Sequence, residues 1–153
     1  LYNVKIVETK EEHDDAFAVR KKVFVEEQGV PLHLECDAED AAATHFIMYD
    51  DDEPVGAARL RSIEKNTAKI ERVCILQSQR GKKLGALIMR EMEKYAISIS
   101  KETLKLHAQS HAIPFYEKLG YAVTSPEFLD AGIPHRAMEK KFNERVLRYC
   151  SMS

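Results

Sequence analysis

The sequence is short of the residues that staple or punctuate a chain. Its three cysteines, Cys36, Cys74 and Cys150, are odd in number and widely spaced. That excludes a disulfide framework and matches no zinc-ligand spacing, so no metal is expected. Thiols left unpaired suit a reducing compartment, and the expected location is cytoplasmic. Glycine is sparse, and neither the Gly-x-x-x-x-Gly-Lys-Ser/Thr phosphate loop nor a dinucleotide-binding glycine fingerprint occurs. No apolar run approaches the roughly 18 residues needed to span a bilayer, and the start of the chain carries no signal-peptide pattern. No membrane partner is therefore expected. A net charge of −2 gives no reason to expect a general nucleic-acid binder, although a local basic patch is compatible with it. There is no repeat, low-complexity tract or Pro/Gly/Ser linker, so residues 1–153 are expected to form one domain.

The residues that are present alternate between two periods. "YNVKIVE" alternates as a first strand. From Glu11 to Gln28, Ala16, Phe17, Val19, Val23 and Phe24 recur at helical spacing until Gly29 and Pro31 stop the helix. "VPLHLECDAEDAAA" is acidic and irregular, with a helical turn expected near Glu39–Ala43. "THFIMY", "VGAARLRSI" and "AKIERVCIL" are strands separated by the turns "DDDEP" and "EKNT". Gly81 to Ile97 carries Leu84, Leu87, Ile88 and Met92 on one face of a helix. "TLKLHA" is a strand, "AIPFYEKLG" a helix stopped by Gly120, "YAVT" and "HRAMEKKF" strands, and "NERVLRYC" a short terminal helix. Three strands joined by tight turns make an antiparallel meander, and the later strand-helix-strand passages need crossovers. The expected fold class is therefore α/β, a mixed and largely antiparallel central sheet with helices on both faces.

The junction "ERVCILQSQRGKKLGALIMREME" carries the clearest chemistry. A buried strand runs into a loop holding Gln79, Arg80 and Gly81, then into an amphipathic helix. Unpaired amides at a helix start form an anion site, to which Arg80, Lys82 and Lys83 add full charges. The competing reading is a basic, solvated first turn. His107 and His111 lie four apart but straddle a strand end and a helix start, and they are read as non-ligands.

Together with "KLHAQSHAIPFYEKLGY", this junction resembles the coenzyme-binding half of the GNAT acyltransferase superfamily. "AVRKKVFVEEQGVP" extends the similarity to a bacterial subgroup labelled YjcF-like or ElaA-like. The resemblance implies an N-acetyltransferase that moves an acetyl group from acetyl-CoA to a primary amine of a small-molecule acceptor. It implies a pyrophosphate loop of pattern Gln/Arg-x-x-Gly-x-Gly/Ala. Reading that pattern from Arg80 to Gly85 puts Lys83 at the inner glycine, where a positive φ would cost about 1–2 kcal/mol; sliding it two residues back keeps Gly81 at that place but starts at Ser78 and ends at Lys83. The expectation is instead that Lys83 is already helical and that Gly81 makes the close approach. Family positions carried over as coenzyme contacts are Val73, Cys74, Ile75, Gln79, Arg80, Gly81, Lys82, Lys83, Leu84, Gly85, Gln109 and Phe115. The backbone near Val73 would polarise the thioester carbonyl.

Tyr116 falls where the family has a phenol that protonates the leaving thiolate, with simple packing as the alternative. Glu71 is either a base for the attacking amine or a structural carboxylate paired with Arg59 or Arg61. Cys74 is read as a buried small hydrophobe rather than an acyl carrier. Acceptor contacts are expected from Phe24, Glu27 and Gln28, with His33 and His45 as further candidates. His135 is placed near the acceptor pocket or on a surface loop. The acidic run Glu26, Glu27, Glu35, Asp37, Glu39 and Asp40 would attract a cationic amine or form a solvated face. Homodimers are frequent in the family. Two rival readings are a non-catalytic acyl-CoA sensor and a nucleic-acid contact through residues 80–83.

Overall fold

The computed structural model describes residues 1–142; the expected terminal helix lies outside them. The described chain clusters into two compact units. The first holds Leu1–Arg61 and Glu71–Met92, and the second Ser62–Ile70 and the described residues from Glu93 onward.

In the first unit, β1 (Tyr2–Ile6) pairs antiparallel with β2 (Thr44–Asp50), from Tyr2 opposite Asp50 to Ile6 opposite Phe46. β2 pairs in turn with β3 (Glu53–Glu64), with a register shift at Met48/Tyr49. Between β1 and β2 the chain forms α1 (Lys10–Arg20), which opens on a capping box: Thr9 Oγ1 accepts from the Glu12 amide, and Glu12 Oε1 accepts from the Thr9 amide, both at 3.1 Å. Lys5 also pairs with Glu12, and this contact, with the amide bonds, holds the Glu12 carboxyl down at about 2.

The single helix expected to run on to Gln28 changes character instead. Residues Lys21–Glu27 are π-helical. The wider turn keeps Val23 in the buried cluster of Ala16, Val19, Ile47, Ala57 and Cys74, with Phe24 packed against it. π-Turns inside helices are rare and concentrate at functional sites. The acidic stretch then supplies α2 (Leu32–Glu35) and a 3-10 turn at Ala38–Ala41, more order than the sequence suggested.

β4 (Thr67–Ile75) leads through a 3-10 turn (Gln77–Gln79) to α3 (Leu84–Ser98), both β4 and α3 being shared by the two units. Leu84, Ile88, Met89, Met92 and Ala96 are the buried stripe of α3. Gly56 on β3 makes room for it: a Cβ there would lie 2.9 Å from Ile88 Cδ1, 2.9 Å from Ile75 Cδ1 and 3.2 Å from the Cys74 carbonyl.

In the second unit, the first four residues of β4 pair parallel with β5 (Thr103–Gln109), from Thr67 opposite Thr103 to Ile70 opposite Leu106. β5 pairs antiparallel with β8 (Ile133–Lys141), which also takes β6 (Ala122–Val123) and β7 (Phe128–Asp130). α4 (Ile113–Lys118) follows β5 and ends at Gly120, whose φ is +97°. Lys101 is buried, yet its ammonium is fully engaged by Ser62 Oγ and the carbonyls of Glu64 and Lys65 at 2.5–3.0 Å. β7 and its hairpin are absent from the sequence reading. The turn Ala131-Gly132 has both φ values positive, +50° and +77°, the primed geometry that matches strand twist. With strand order β1-β2-β3-β4-β5-β8-β6 and β7 on β8, the fold is the expected mixed α/β sheet, with eight strands.

Candidate active site

β4 carries Glu71, Val73, Cys74 and Ile75 toward the loop. Arg72 sits among them at φ +58°, a left-handed residue inside a strand. That backbone costs about 1–2 kcal/mol. Its guanidinium is held by the carbonyls of Leu34 (3.1 Å) and Glu35 (3.3 Å) and by Asp37 (3.2 Å). Val73 and Ile75 are half-buried, and Cys74 is buried, its thiol donating to the Ala57 carbonyl at 3.7 Å. Burial pushes the Cys74 thiol up to about 12, so it stays protonated and a poor nucleophile.

Beyond Ile75 the backbone makes two left-handed residues, Gly81 at φ +84° and Lys83 at φ +62°. α3 begins only at Leu84. Lys83 is therefore not the helical residue expected. It takes a conformation that glycine adopts at little cost, and Gly81 two residues earlier shares it. Gly81 has open space around it, with no protein atom within 4 Å of a built Cβ, so its constraint is φ and not crowding. Lys83→Gly is expected to raise stability by about 0.5–1 kcal/mol, strain relief being partly offset by the entropy glycine gains when unfolded. A thermal melt reads this directly.

The polar side chains of the loop are tethered. Gln79 Oε1 accepts from the Tyr2 hydroxyl at 2.9 Å and from Lys82 Nζ at 3.1 Å. Arg80 donates from Nε to the Ile75 carbonyl at 3.1 Å. Its two terminal nitrogens grip both oxygens of Glu27, at 2.5 and 2.7 Å. The Arg80 contact holds the Glu27 carboxyl below the usual range. Glu27, expected at the acceptor, thus meets a residue expected at the coenzyme.

Glu71 resolves into a paired carboxylate. Its Oε1 accepts from Arg59 Nε at 3.1 Å and from Arg61 Nε at 2.6 Å. The same network reaches much further. Arg59, 1% exposed at its side chain, also binds Asp37 and Asp40. Fully buried Arg20 binds Glu35 at 2.6 Å and Asp40 at 2.8 Å. Glu35, Asp37 and Asp40 are thus spent on arginines and not presented as a field for an amine. Sequence reasoning missed Arg20 and Arg59 as interior residues, since a lone arginine in an amphipathic helix or strand reads as surface.

Burial alone would raise the Asp40 carboxyl, but hydrogen bonds from Arg20 and Arg59 outweigh it and hold it at about 2 against 3.8. A depressed pKa stabilises the fold in full above the unfolded value. Stability should therefore be flat above about pH 5 and fall between about pH 4 and pH 2 as Asp40 protonates. Acid titration followed by circular dichroism checks the window, and Asp40→Asn should remove its share of the loss while leaving those of Glu12 and Asp37. His45 is buried, with Nε2 2.8 Å from the Asp40 carbonyl and its ring against His13 and Phe17; burial depresses its pKa. It is part of this interior.

In the second unit, Tyr116 is half-buried on α4, edge-on to Phe115 (4.9 Å between ring centroids) and Tyr121 (6.0 Å). Tyr121 is the structural tyrosine of the set: it is buried, and its hydroxyl donates to Glu93 Oε2 at 2.8 Å. Lys140 bonds the other Glu93 oxygen and the Leu119 carbonyl, fixing the end of α4. Gln109 ends β5 opposite His135, and its Oε1 accepts from His111 Nε2 at 2.8 Å. His135 is neither in a loop nor on the surface. It lies within β8, buried, stacked on Phe128, with Nδ1 2.7 Å from the Ile133 carbonyl.

A strand, a left-handed basic loop and an amphipathic helix, within an eight-stranded mixed sheet, define an acyltransferase-type fold. Residues 8–142 match the acetyltransferase (GNAT) domain, and the chain belongs to that family. It is 45% identical over 136 residues to the uncharacterized N-acetyltransferase YjcF of Bacillus subtilis, covering 88% of this chain and 96% of that one. An acyl-CoA N-acyltransferase from Pseudomonas aeruginosa superposes with a TM-score of 0.81 at 25% identity, over 92% of this chain and 98% of that one. Escherichia coli ElaA shares the fold, with a TM-score of 0.82 at 22% identity over 92% and 100% of the two chains. Among the described residues no helix is long and apolar enough to cross a membrane.

Proposed function

We propose that the protein is an acetyl-CoA-dependent N-acetyltransferase acting on a primary amine by direct attack. The observation that carries this reading is the loop from Gln79 to Lys83. Its two left-handed residues and three basic side chains stand immediately before a fifteen-residue helix, in a chain of the GNAT family. Such a helix start, with Arg80, Lys82 and Lys83, suits a pyrophosphate. The Bacillus relative's name, N-acetyltransferase, supports acetyl transfer to nitrogen, and the Pseudomonas protein's name, acyl-CoA N-acyltransferase, supports an acyl-CoA donor.

The amine nitrogen attacks the thioester carbon, and the carbonyl oxygen takes the negative charge under backbone N–H donation near Val73. The C–S bond then breaks, and the sulfur takes a proton from the Tyr116 phenol. Cys74 is no acyl carrier in this scheme, because its buried thiol is not ionised. The ammonium proton leaves to water. Glu71, held by two guanidinium groups, orients β3 and β4 instead of accepting that proton. Phe115 and Gln109 are assigned to the coenzyme, and Phe24, Glu27, Gln28 and His135 to the acceptor.

Incubation with acetyl-CoA and a panel of polyamine, amino-sugar, amino-acid and lysyl-peptide acceptors tests the reading. Free thiol released one-for-one with an acetylated amine is expected for one class. Coenzyme binding with no product on any amine would replace the enzyme with a sensor.

A further inference from the structure

The Arg80–Glu27 pair joins two segments assigned different ligands. Arg80 lies in the loop assigned to the pyrophosphate. Glu27 is the last residue of the π-helical segment that also holds Phe24, and Gln28 follows it. The pairing is end-on and two-pronged, with Oε2 on one terminal nitrogen at 2.5 Å and Oε1 on the other at 2.7 Å. A third bond, from Nε to the Ile75 carbonyl, fixes the guanidinium plane. Ile75 is itself the strand residue whose backbone is assigned to the pantetheine arm. One arginine thus occupies a carbonyl assigned to the coenzyme and holds a carboxylate assigned to the acceptor.

A carboxylate and a phosphate ask the same thing of a guanidinium: two parallel N–H donors in one plane. The fork on which Glu27 sits is the fork a pyrophosphate oxygen pair would use. Lys82 is tied to Gln79 and so offers a point charge without that planar geometry.

We propose that Glu27 is a built-in competitor for the coenzyme's pyrophosphate. Coenzyme binding exchanges the carboxylate for phosphate oxygens on Arg80. The released Glu27 carboxylate, beside Phe24 and Gln28, then receives the ammonium group of the acceptor. The inference rests on the acetyl-CoA reading of the loop. It gives Glu27 two successive partners, so this residue both lowers coenzyme affinity and shapes acceptor choice toward cations.

Calorimetric titration of coenzyme A, and of pantetheine as a probe lacking the pyrophosphate, into the wild type, Glu27→Gln, Glu27→Ala, Arg80→Met and the Glu27→Ala/Arg80→Met double variant tests it. A half-exposed ion pair is worth up to about 1 kcal/mol, so both Glu27 variants should bind coenzyme A about threefold to fivefold more tightly. Pantetheine binding should not change, and in the Arg80→Met background Glu27→Ala should have no effect. Coenzyme affinity that is unchanged or weaker in the Glu27 variants would overturn the inference alone and make Glu27 a fixed support for Arg80. Absence of coenzyme A binding by the wild type would overturn it together with the functional reading beneath it.

Discussion

Tyr116→Phe is expected to slow turnover by about 10²–10⁴-fold while leaving coenzyme affinity within about twofold. The asymmetry follows from the packing of α4. The Tyr116 ring is held edge-on between Phe115 and Tyr121, contacts that phenylalanine keeps. Only the hydroxyl is lost, and with it the proton for the departing thiolate. Tyr121→Phe is the control. Its hydroxyl is bonded to Glu93, so its loss should cost about 1–3 kcal/mol of stability with little effect on the chemical step. Single-turnover rates and coenzyme titrations on the two variants separate the roles. If Tyr116→Phe turns over at the wild-type rate with chemistry rate-limiting, the acid is elsewhere.

Arg59→Leu should destabilise the first unit by about 3–5 kcal/mol. Arg59 makes contacts of 2.7–3.1 Å with Asp37, Asp40 and Glu71 from a buried position. A leucine fills much of the volume but leaves three carboxylates facing one another without their shared counter-ion. Lysine would restore the charge but not the fork, and should recover only part of the loss. Arg61→Leu, at the exposed edge of the same network, should cost well under half as much, because Arg61 is 22% exposed and pairs with exposed Glu39 and with Glu71. Denaturant melts of the three variants give the ranking. Equal losses for Arg59→Leu and Arg61→Leu would show that burial does not set the energy of this network.

The sequence displayed its periodic features well and its exceptions badly. The buried stripe of α3 and the alternation of β2 were visible because apolar side chains repeat at the period of the element that buries them. Gly120 announced the end of α4 through the φ it alone tolerates cheaply. The π-turn at Lys21–Glu27 was hidden because a shift of one residue in hydrogen bonding leaves an apolar pattern nearly intact over two turns. β7 was hidden by its length, three residues, and by a primed turn built on Ala131 where asparagine is the usual signal.

At the site, Arg80–Gly85 was legible as a motif, but not the conformation of Lys83. A lysine in αL runs against local preference, so the surrounding loop imposes that backbone. Glu71 could be narrowed to two roles from sequence. Its pairing with Arg59 and Arg61 on the neighbouring strand favours the structural one, and charge pattern alone could not tell whether those arginines point inward or outward. The Glu27–Arg80 pair joins positions 53 residues apart and had no sequence signal at all.

Thermal unfolding with and without acetyl-CoA, on the wild type and on Gly81→Asp, tests the central claim most directly. Ligand at about one hundred times its Kd adds about 2.7 kcal/mol. That should raise the wild-type midpoint by about 5–10 °C, with desulfo-CoA giving a similar shift and ADP a smaller one. In Gly81→Asp, which sets a carboxylate at the phosphate loop, the shift should vanish. No shift in the wild type at millimolar acetyl-CoA, or an equal shift in Gly81→Asp, would contradict the account.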